Sequence, residues 1–314
     1  MADASAVATP DQLLRQLEWT VIRRLDGLLQ GDYRTLFRGY GMDIADLREY
    51  QYGDDVRHID WNVTARLQSP YVREFHEDRE ITAWFLLDLS QSVNFGSTAV
   101  RKRNVSADFV AVLARLLTRR GNRVGALYYG ERVDGMIPAR GGRRQVLNIL
   151  HAMRSEQETP SSSGTNLGEL LRAAEQVMRR RSLVFVVSDF ISAPGWAQVL
   201  GRLAQRHEVI AVRLHDPLEA ELPDLGLVVV QDAETGEQLF VDTHDRGFRR
   251  RFAAAAARRE GELRGAFREA GVDAIELSTG DDLVETVLRF AELKRRGRHS
   301  ARQHTMVRDE LSVA

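Results

Sequence analysis

The feature that most restricts this chain is a short apolar run, Ile81 to Ser92, reading Ile-Thr-Ala-Trp-Phe-Leu-Leu-Asp-Leu-Ser-Gln-Ser. It is rich in aromatic and aliphatic residues and stops abruptly in polar ones, which suits a fully buried strand of a parallel sheet better than a helix. Its chemistry lies at its C-terminal end. Ligands of open α/β sheets bind in the crevice beyond the carboxyl ends of the strands, where Asp88, Ser90 and Ser92 would project.

Around that run, strand and helix patterns alternate. Residues 11 to 30 place Leu13, Leu14, Leu17, Val21 and Leu25 near helical spacing behind Asp11 as the expected cap. Gly31 to Asp60 is polar, aromatic and glycine-punctuated, and is expected to be irregular but ordered. Tyr71 to Phe75 reads as a short strand. After Ser92 come a helix over Ala99 to Arg119, strands Arg123 to Tyr129 and Val133 to Ile137, and a helix over Arg143 to Met153. A helix over Leu167 to Met178 follows the Ser161 to Gly164 loop, with Asn166 and Glu169 at capping-box spacing.

Strand Leu183 to Ser188, a helix around Gly195 to Gln205 and strand Glu208 to Leu214 continue the alternation. A long helix from Asp245 to Ala270, strand Asp273 to Leu277 and a helix over Asp281 to Arg295 complete it. Crossovers of this length predict a doubly wound, mostly parallel α/β sheet. Leu227 to Val230 and Leu239 to Val241 flank Asp-Ala-Glu-Thr-Gly-Glu, which is hairpin grammar, and this hairpin is expected outside the main sheet. The expected organisation is an N-terminal extension over 1–80, a main domain over 81–295 with the hairpin insertion at about 222–244, and a basic tail over 296–314.

Two more oxygen-bearing residues fall where the same crevice would be lined. They are Thr165, in Ser-Ser-Ser-Gly-Thr-Asn-Leu, and Asp189, closing Leu-Val-Phe-Val-Val-Ser-Asp. Oxygen donors of this kind suit a hard cation: Mg²⁺ foremost, with Mn²⁺ or Ca²⁺ as substitutes. Three hydroxyls as direct ligands leave most of the cation's charge uncompensated, while Asp88 and Asp189 hold coordinated waters. A carboxylate from another protein could complete the shell. Each residue also has an ordinary use, as a strand-end carboxylate, a helix cap or a loop hydroxyl. A second cluster, Asp54, Asp55, Arg57, His58 and Asp60, is assigned a structural or partner-docking role, because Arg57 would repel a cation.

Composition narrows the alternatives. The formal net charge of −1 gives no bulk attraction to nucleic acid or an anionic membrane, and the absence of cysteine removes thiol catalysis and Cys-ligated zinc. The N-terminus lacks a signal-peptide pattern and no apolar run approaches the roughly 20 residues that span a bilayer, so a soluble cytoplasmic protein is expected. Only Lys102 and Lys294 are lysines, the other basic residues being arginine.

The Asp88-x-Ser90-x-Ser92 motif with Thr165 and Asp189 resembles the metal-ion-dependent adhesion site of von Willebrand factor A domains. More narrowly, the run from Arg48 to Arg66, with Glu80, Ser188-Asp189-Phe190, Leu222 to Gly226 and Asp232 to Gly236, is similar to the domain of unknown function 58 family. That resemblance implies a bacterial von Willebrand A-like protein accompanying a MoxR-type AAA+ ATPase, with a chaperone-like part in assembling or maturing client proteins. The expectation is a non-enzymatic interaction module. The alternative is a metal-dependent phosphatase or phosphotransferase using Asp88, but the acid two residues after such a nucleophile is here Ser90. No phosphate-binding Gly-x-x-x-x-Gly-Lys-[Ser/Thr] loop is present.

Overall fold

A computed structural model describes residues 9–22, 25, 47–52, 56, 59–73, 81–97, 100–130, 132–155, 165–231 and 238–289. In chain order the elements begin with α1 (Pro10–Leu17), β1 (Leu47–Glu49), α2 (Trp61–Leu67), β2 (Tyr71–Arg73) and β3 (Thr82–Asp88). There follow α3 (Lys102–Arg119), β4 (Arg123–Tyr129), β5 (Val133–Arg140), α4 (Arg143–Ser155), α5 (Leu167–Val177) and β6 (Leu183–Ser188). The chain continues through α6 (Trp196–Arg206), β7 (Glu208–His215), β8 (Leu227–Gln231), β9 (Gln238–Asp242), α7 (Arg246–Ala270) and β10 (Asp273–Ser278), and residues 283–289 are helical.

Six strands form one sheet in the order β10-β7-β6-β3-β4-β5, parallel throughout except for the edge pair β4 and β5. The chain runs from β3 out to β5, then crosses back to β6 and proceeds to the opposite edge. The order therefore reverses between β3 and β6, which opens a crevice at their carboxyl ends. β5 extends past the expected Ile137 to Arg140 and includes Pro138, which an edge strand tolerates because one side of it needs no partner.

The central strand shows why a continuous apolar run was needed. Ala83, Phe85 and Leu87 face one core, and Trp84 and Leu86 face the other. In the first core Phe85 stacks on Phe185 at 5.2 Å and Phe109 meets Phe185 edge-on at 6.1 Å. Each such side chain contributes roughly 1.5–3 kcal/mol by leaving water. Leu14, Leu17 and Leu25 join this core too, so the N-terminal helix packs against the main sheet's helices. Glu18 accepts from Arg115 Nε at 2.6 Å and Arg143 pairs with Asp11 at 2.8 Å, tying α1 to α3 and α4.

Several local expectations are corrected. Thr9, not Asp11, caps α1, forming a reciprocal box with Gln12 ahead of Pro10 at the first helical position. The regular helix ends at Leu17 and widens into a π turn over Glu18–Ile22. The segment expected to be irregular contributes β1, paired antiparallel with β2, and is followed by α2, whose seven residues are too few to show a period. Asn166 makes no side-chain cap: its amide donates to Glu169 Oε1 at 3.2 Å, while the Leu167 N–H donates to Ser192 Oγ at 2.8 Å. The hairpin β8–β9 stands as its own two-stranded sheet, as expected. The hairpin turn at 232–237, the stretch 74–80, the Ser161 to Gly164 loop and everything beyond residue 289 lie outside the described residues.

Candidate functional site

Asp88 ends β3 one position beyond the Leu87–Val187 pairing, opposite Ser188 at the end of β6. The carboxylate is fully buried. Its Oδ1 accepts the Ser90 N–H at 3.0 Å and its Oδ2 accepts the Ser188 hydroxyl at 2.6 Å. Burial, helped by the charge of Asp189, pushes its pKa up to about 6 against the opposing pull of those hydrogen bonds. Ser90 has the extended backbone of a cap before the 3₁₀ turn Gln91–Asn94, yet its hydroxyl caps nothing and lies 3.1 Å from Ser92 Oγ.

Asp189 follows β6 directly. Its Oδ1 accepts the Ile191 N–H at 3.0 Å and its Oδ2 accepts from Lys102 Nζ at 2.7 Å. Between them Phe190 sits at φ +59°, a left-handed conformation costly for a bulky residue. Its ring is clamped 4.8 Å from Phe267 and 5.2 Å from Trp196. The aromatic contacts thus hold the turn that aims Asp189.

Thr165 is 4% exposed. Its carbonyl accepts the Ala193 N–H at 2.9 Å and the Ser192 hydroxyl at 3.0 Å, which fastens it to the loop that follows Asp189. Asp88, Ser90 and Ser92 are therefore brought together by direct contacts and Asp189 by its charge on Asp88, while Thr165 reaches the same edge through its backbone. Asp60, from the second cluster, is 7% exposed and caps α2, accepting the Val63 N–H at 3.2 Å. Asp54, Asp55, Arg57 and His58 lie outside the described residues.

Sequence reasoning missed three groups at this edge. Lys102, at the start of α3, is 1% exposed and donates to both Asp189 and, at 2.6 Å, Glu219. Burial pulls its pKa down, but the two carboxylates outweigh burial and hold it above the ordinary lysine value. The signal available was its rarity, one of two lysines among 44 basic residues. Ser188 orients Asp88. Asp216, after β7, accepts from the Ser97 N–H and hydroxyl, both at 2.9 Å, and from Thr279 Oγ1 at 2.6 Å, and so joins the loop after Ser92 to the ends of β7 and β10. Burial works against its ionisation, and these hydrogen bonds still leave its pKa below the usual value.

Among the described residues no three His, Cys, Asp or Glu side chains gather as a metal site. The candidate site is of another make, hydroxyls backed by two carboxylates. An octahedral Mg²⁺ with oxygens at 2.0–2.1 Å separates neighbouring oxygens by about 2.9 Å. The Ser90–Ser92 hydroxyl pair, at 3.1 Å, fits one such edge.

The family described as "Protein of unknown function DUF58" matches residues 46–262. An uncharacterized protein of Mycobacterium tuberculosis is 37% identical over 286 residues, covering 90% of this chain and 89% of its own length, and one of Mycobacterium bovis matches equally. Among solved structures, an aerotolerance-related membrane protein of Bacteroides fragilis has a TM-score of 0.47 at 12% identity, over 69% of this chain and 99% of its own. A manganese-loaded TRAP protein of Plasmodium vivax has a TM-score of 0.30 at 18% identity, over 42% and 57% respectively.

Proposed function

The chain belongs to the DUF58 family, and on that premise we propose that it is a non-enzymatic, metal-dependent protein-interaction module built on Asp88, Ser90, Ser92, Thr165 and Asp189. The observation that carries this reading is the Ser90–Ser92 hydroxyl pair, 3.1 Å apart, with a buried carboxylate behind it at the switch point of the sheet. A bound Mg²⁺, or Mn²⁺ or Ca²⁺ in its place, supplies an electrophilic position that a partner's carboxylate can fill.

The chain's own residues set up that exchange. Ser90, Ser92 and Thr165 offer neutral oxygens, and Ser188 and the Ser90 N–H fix the orientation of Asp88. Lys102 neutralises Asp189, so little of the ion's charge is cancelled from within and more remains for the partner. We assign that partner, following the family resemblance, to a MoxR-type AAA+ ATPase or the client it matures. Phosphoryl transfer through Asp88 is the less supported reading: both carboxylate oxygens are engaged, and Ser90 stands where a proton-donating acid is needed.

Titrating MgCl₂ into the wild type and a Ser90→Ala/Ser92→Ala variant by calorimetry should give saturable heat only for the wild type. A purified MoxR-type ATPase from the same host should be retained in Mg²⁺, released by EDTA and ignored by Asp88→Ala. Retention indifferent to both treatments would sink this reading.

A further inference from the structure

Tyr129 takes hold of both loops of the candidate site. It closes β4 in register with Asp88, and residues so paired on neighbouring strands send their side chains to the same face of the sheet. There its ring joins the core of Leu86, Leu127, Leu167 and Leu170, and the residue is 2% exposed. Its two oxygens reach in different directions. The carbonyl accepts the Leu89 N–H at 2.7 Å, and the hydroxyl accepts the Asn166 N–H at 3.1 Å. The first N–H belongs to the peptide that leaves Asp88 and the second to the peptide that leaves Thr165.

The Thr165–Asn166 peptide is thereby tied at both of its polar atoms. Its carbonyl accepts from the Ala193 N–H at 2.9 Å and the Ser192 hydroxyl at 3.0 Å, and its N–H donates to Tyr129. A peptide unit is planar, so holding both atoms fixes the plane and the direction in which Thr165 leaves it. Ser192 and Ala193 refer Thr165 to the loop after Asp189. Tyr129 refers it to the loop of Ser90 and Ser92, through a rigid ring packed in the core, which acts as a spacer of fixed length.

A fixed spacing matters more to one cation than to another. Mg²⁺ demands near-ideal octahedral geometry with short metal–oxygen distances, whereas Ca²⁺ accepts longer distances and an irregular shell. Ser90 and Ser92 share one short turn, which sets their 3.1 Å separation locally. Thr165 comes from another loop and needs an external reference.

We propose that Tyr129 is the positioning residue that sets the cation selectivity of this site: by holding Thr165 at a fixed place relative to the Ser90–Ser92 pair, it fits the hydroxyls to Mg²⁺ and against Ca²⁺. The inference rests on the interaction reading above and deepens it by naming the cation that the intact site prefers. The tyrosine touches neither ion; it acts through the Thr165–Asn166 peptide.

The test uses the full chain and Tyr129→Phe, which keeps the ring in the core and removes only the hydroxyl. Calorimetric titrations with MgCl₂ and with CaCl₂ should show Mg²⁺ affinity reduced about tenfold, as loss of a group that orients a metal ligand implies. Ca²⁺ affinity should fall by about twofold at most, so the preference for Mg²⁺ shrinks roughly fivefold. Both ions are read on the same preparation, and any loss of folded protein cancels in the ratio. A measurement on the wild type needs no variant. Coupling is reciprocal, so if the Tyr129–Asn166 bond favours Mg²⁺, Mg²⁺ favours the bond. The Asn166 amide hydrogen, followed by NMR, should then exchange more slowly at saturating Mg²⁺ than at saturating Ca²⁺.

Saturable Mg²⁺ binding whose ratio to Ca²⁺ is unchanged in Tyr129→Phe overturns the inference and leaves the interaction module standing. Asn166 exchange that is equal with the two ions does the same, and decides the matter if the variant fails to fold by circular dichroism. A wild type that binds neither ion removes the metal reading and this inference with it.

Discussion

Lys102 shows how much depends on single buried charges. Its ammonium is 1% exposed and lies between Asp189 at 2.7 Å and Glu219 at 2.6 Å. An isolated charge there would be intolerable, and so would the buried Asp189 carboxylate without it, whereas Glu219 is partly exposed. Lys102→Met should therefore lower stability by about 3 kcal/mol or more in chemical denaturation. Lys102→Arg should not restore it, because a planar fork cannot occupy the space of a compact ammonium. A variant as stable as the wild type would show that buried Asp189 does not depend on the Lys102 ammonium.

Asp108, on α3, yields a pH prediction away from the site. Burial raises its pKa from 3.8 to about 6, with Arg154 opposing. Such a group holds its proton more tightly folded than unfolded, so folding loses free energy as pH rises from about 4 to about 6. The gap corresponds to on the order of 3 kcal/mol at neutral pH. Asp108→Asn, which mimics the protonated form, should raise stability at pH 7 and flatten the stability profile over that interval, with little change below pH 4. A pH profile identical to the wild type would contradict the assignment.

At the scale of elements, the turn after β6 is the piece whose geometry the site most needs. Phe190 is held at positive φ because its ring is wedged against Phe267 and Trp196. Phe267 comes from the far end of α7, so that helix holds the turn that presents Asp189. Phe267→Ala should cost about 3–5 kcal/mol in global stability. Metal affinity, measured on the folded fraction, should also fall, since the turn loses the contact that offsets its strain. A stability loss with unchanged metal affinity would detach the aromatic cluster from the site. Elements were legible where periodicity was local. Strands β4 and β6 begin and end where the pattern placed them, as alternating or continuous apolar runs bounded by polar residues. The helix at Leu167 was legible too, but its cap was not: the spacing of Asn166 and Glu169 was right, yet the Glu169 N–H that the cap should serve donates to the Asn166 carbonyl, while the Leu167 N–H finds Ser192, 25 residues further on.

For the whole molecule, two cores on opposite faces of one sheet account for the apolar content of the central strands, and the reversal of strand order between β3 and β6 places the site. Strand and helix alternation, the doubly wound class, the separate hairpin, and Asp88 with its two serines at a strand end were determined by the sequence itself. The elements follow from hydrophobic periodicity within single elements, the class from their alternation and crossover lengths, and the place of Asp88 and its serines from the abrupt polar end of one apolar run. Only the tertiary structure decided that Ser188 orients Asp88 across 100 residues and that Lys102 reaches partners 87 and 117 residues away. It alone also decided that Tyr129 joins the peptide after Asp88 to the peptide after Thr165. The reason is that a charge or hydroxyl carries no periodic signature: its role depends on what chain packing brings within about 3 Å of it, and that distance is set by the fold as a whole.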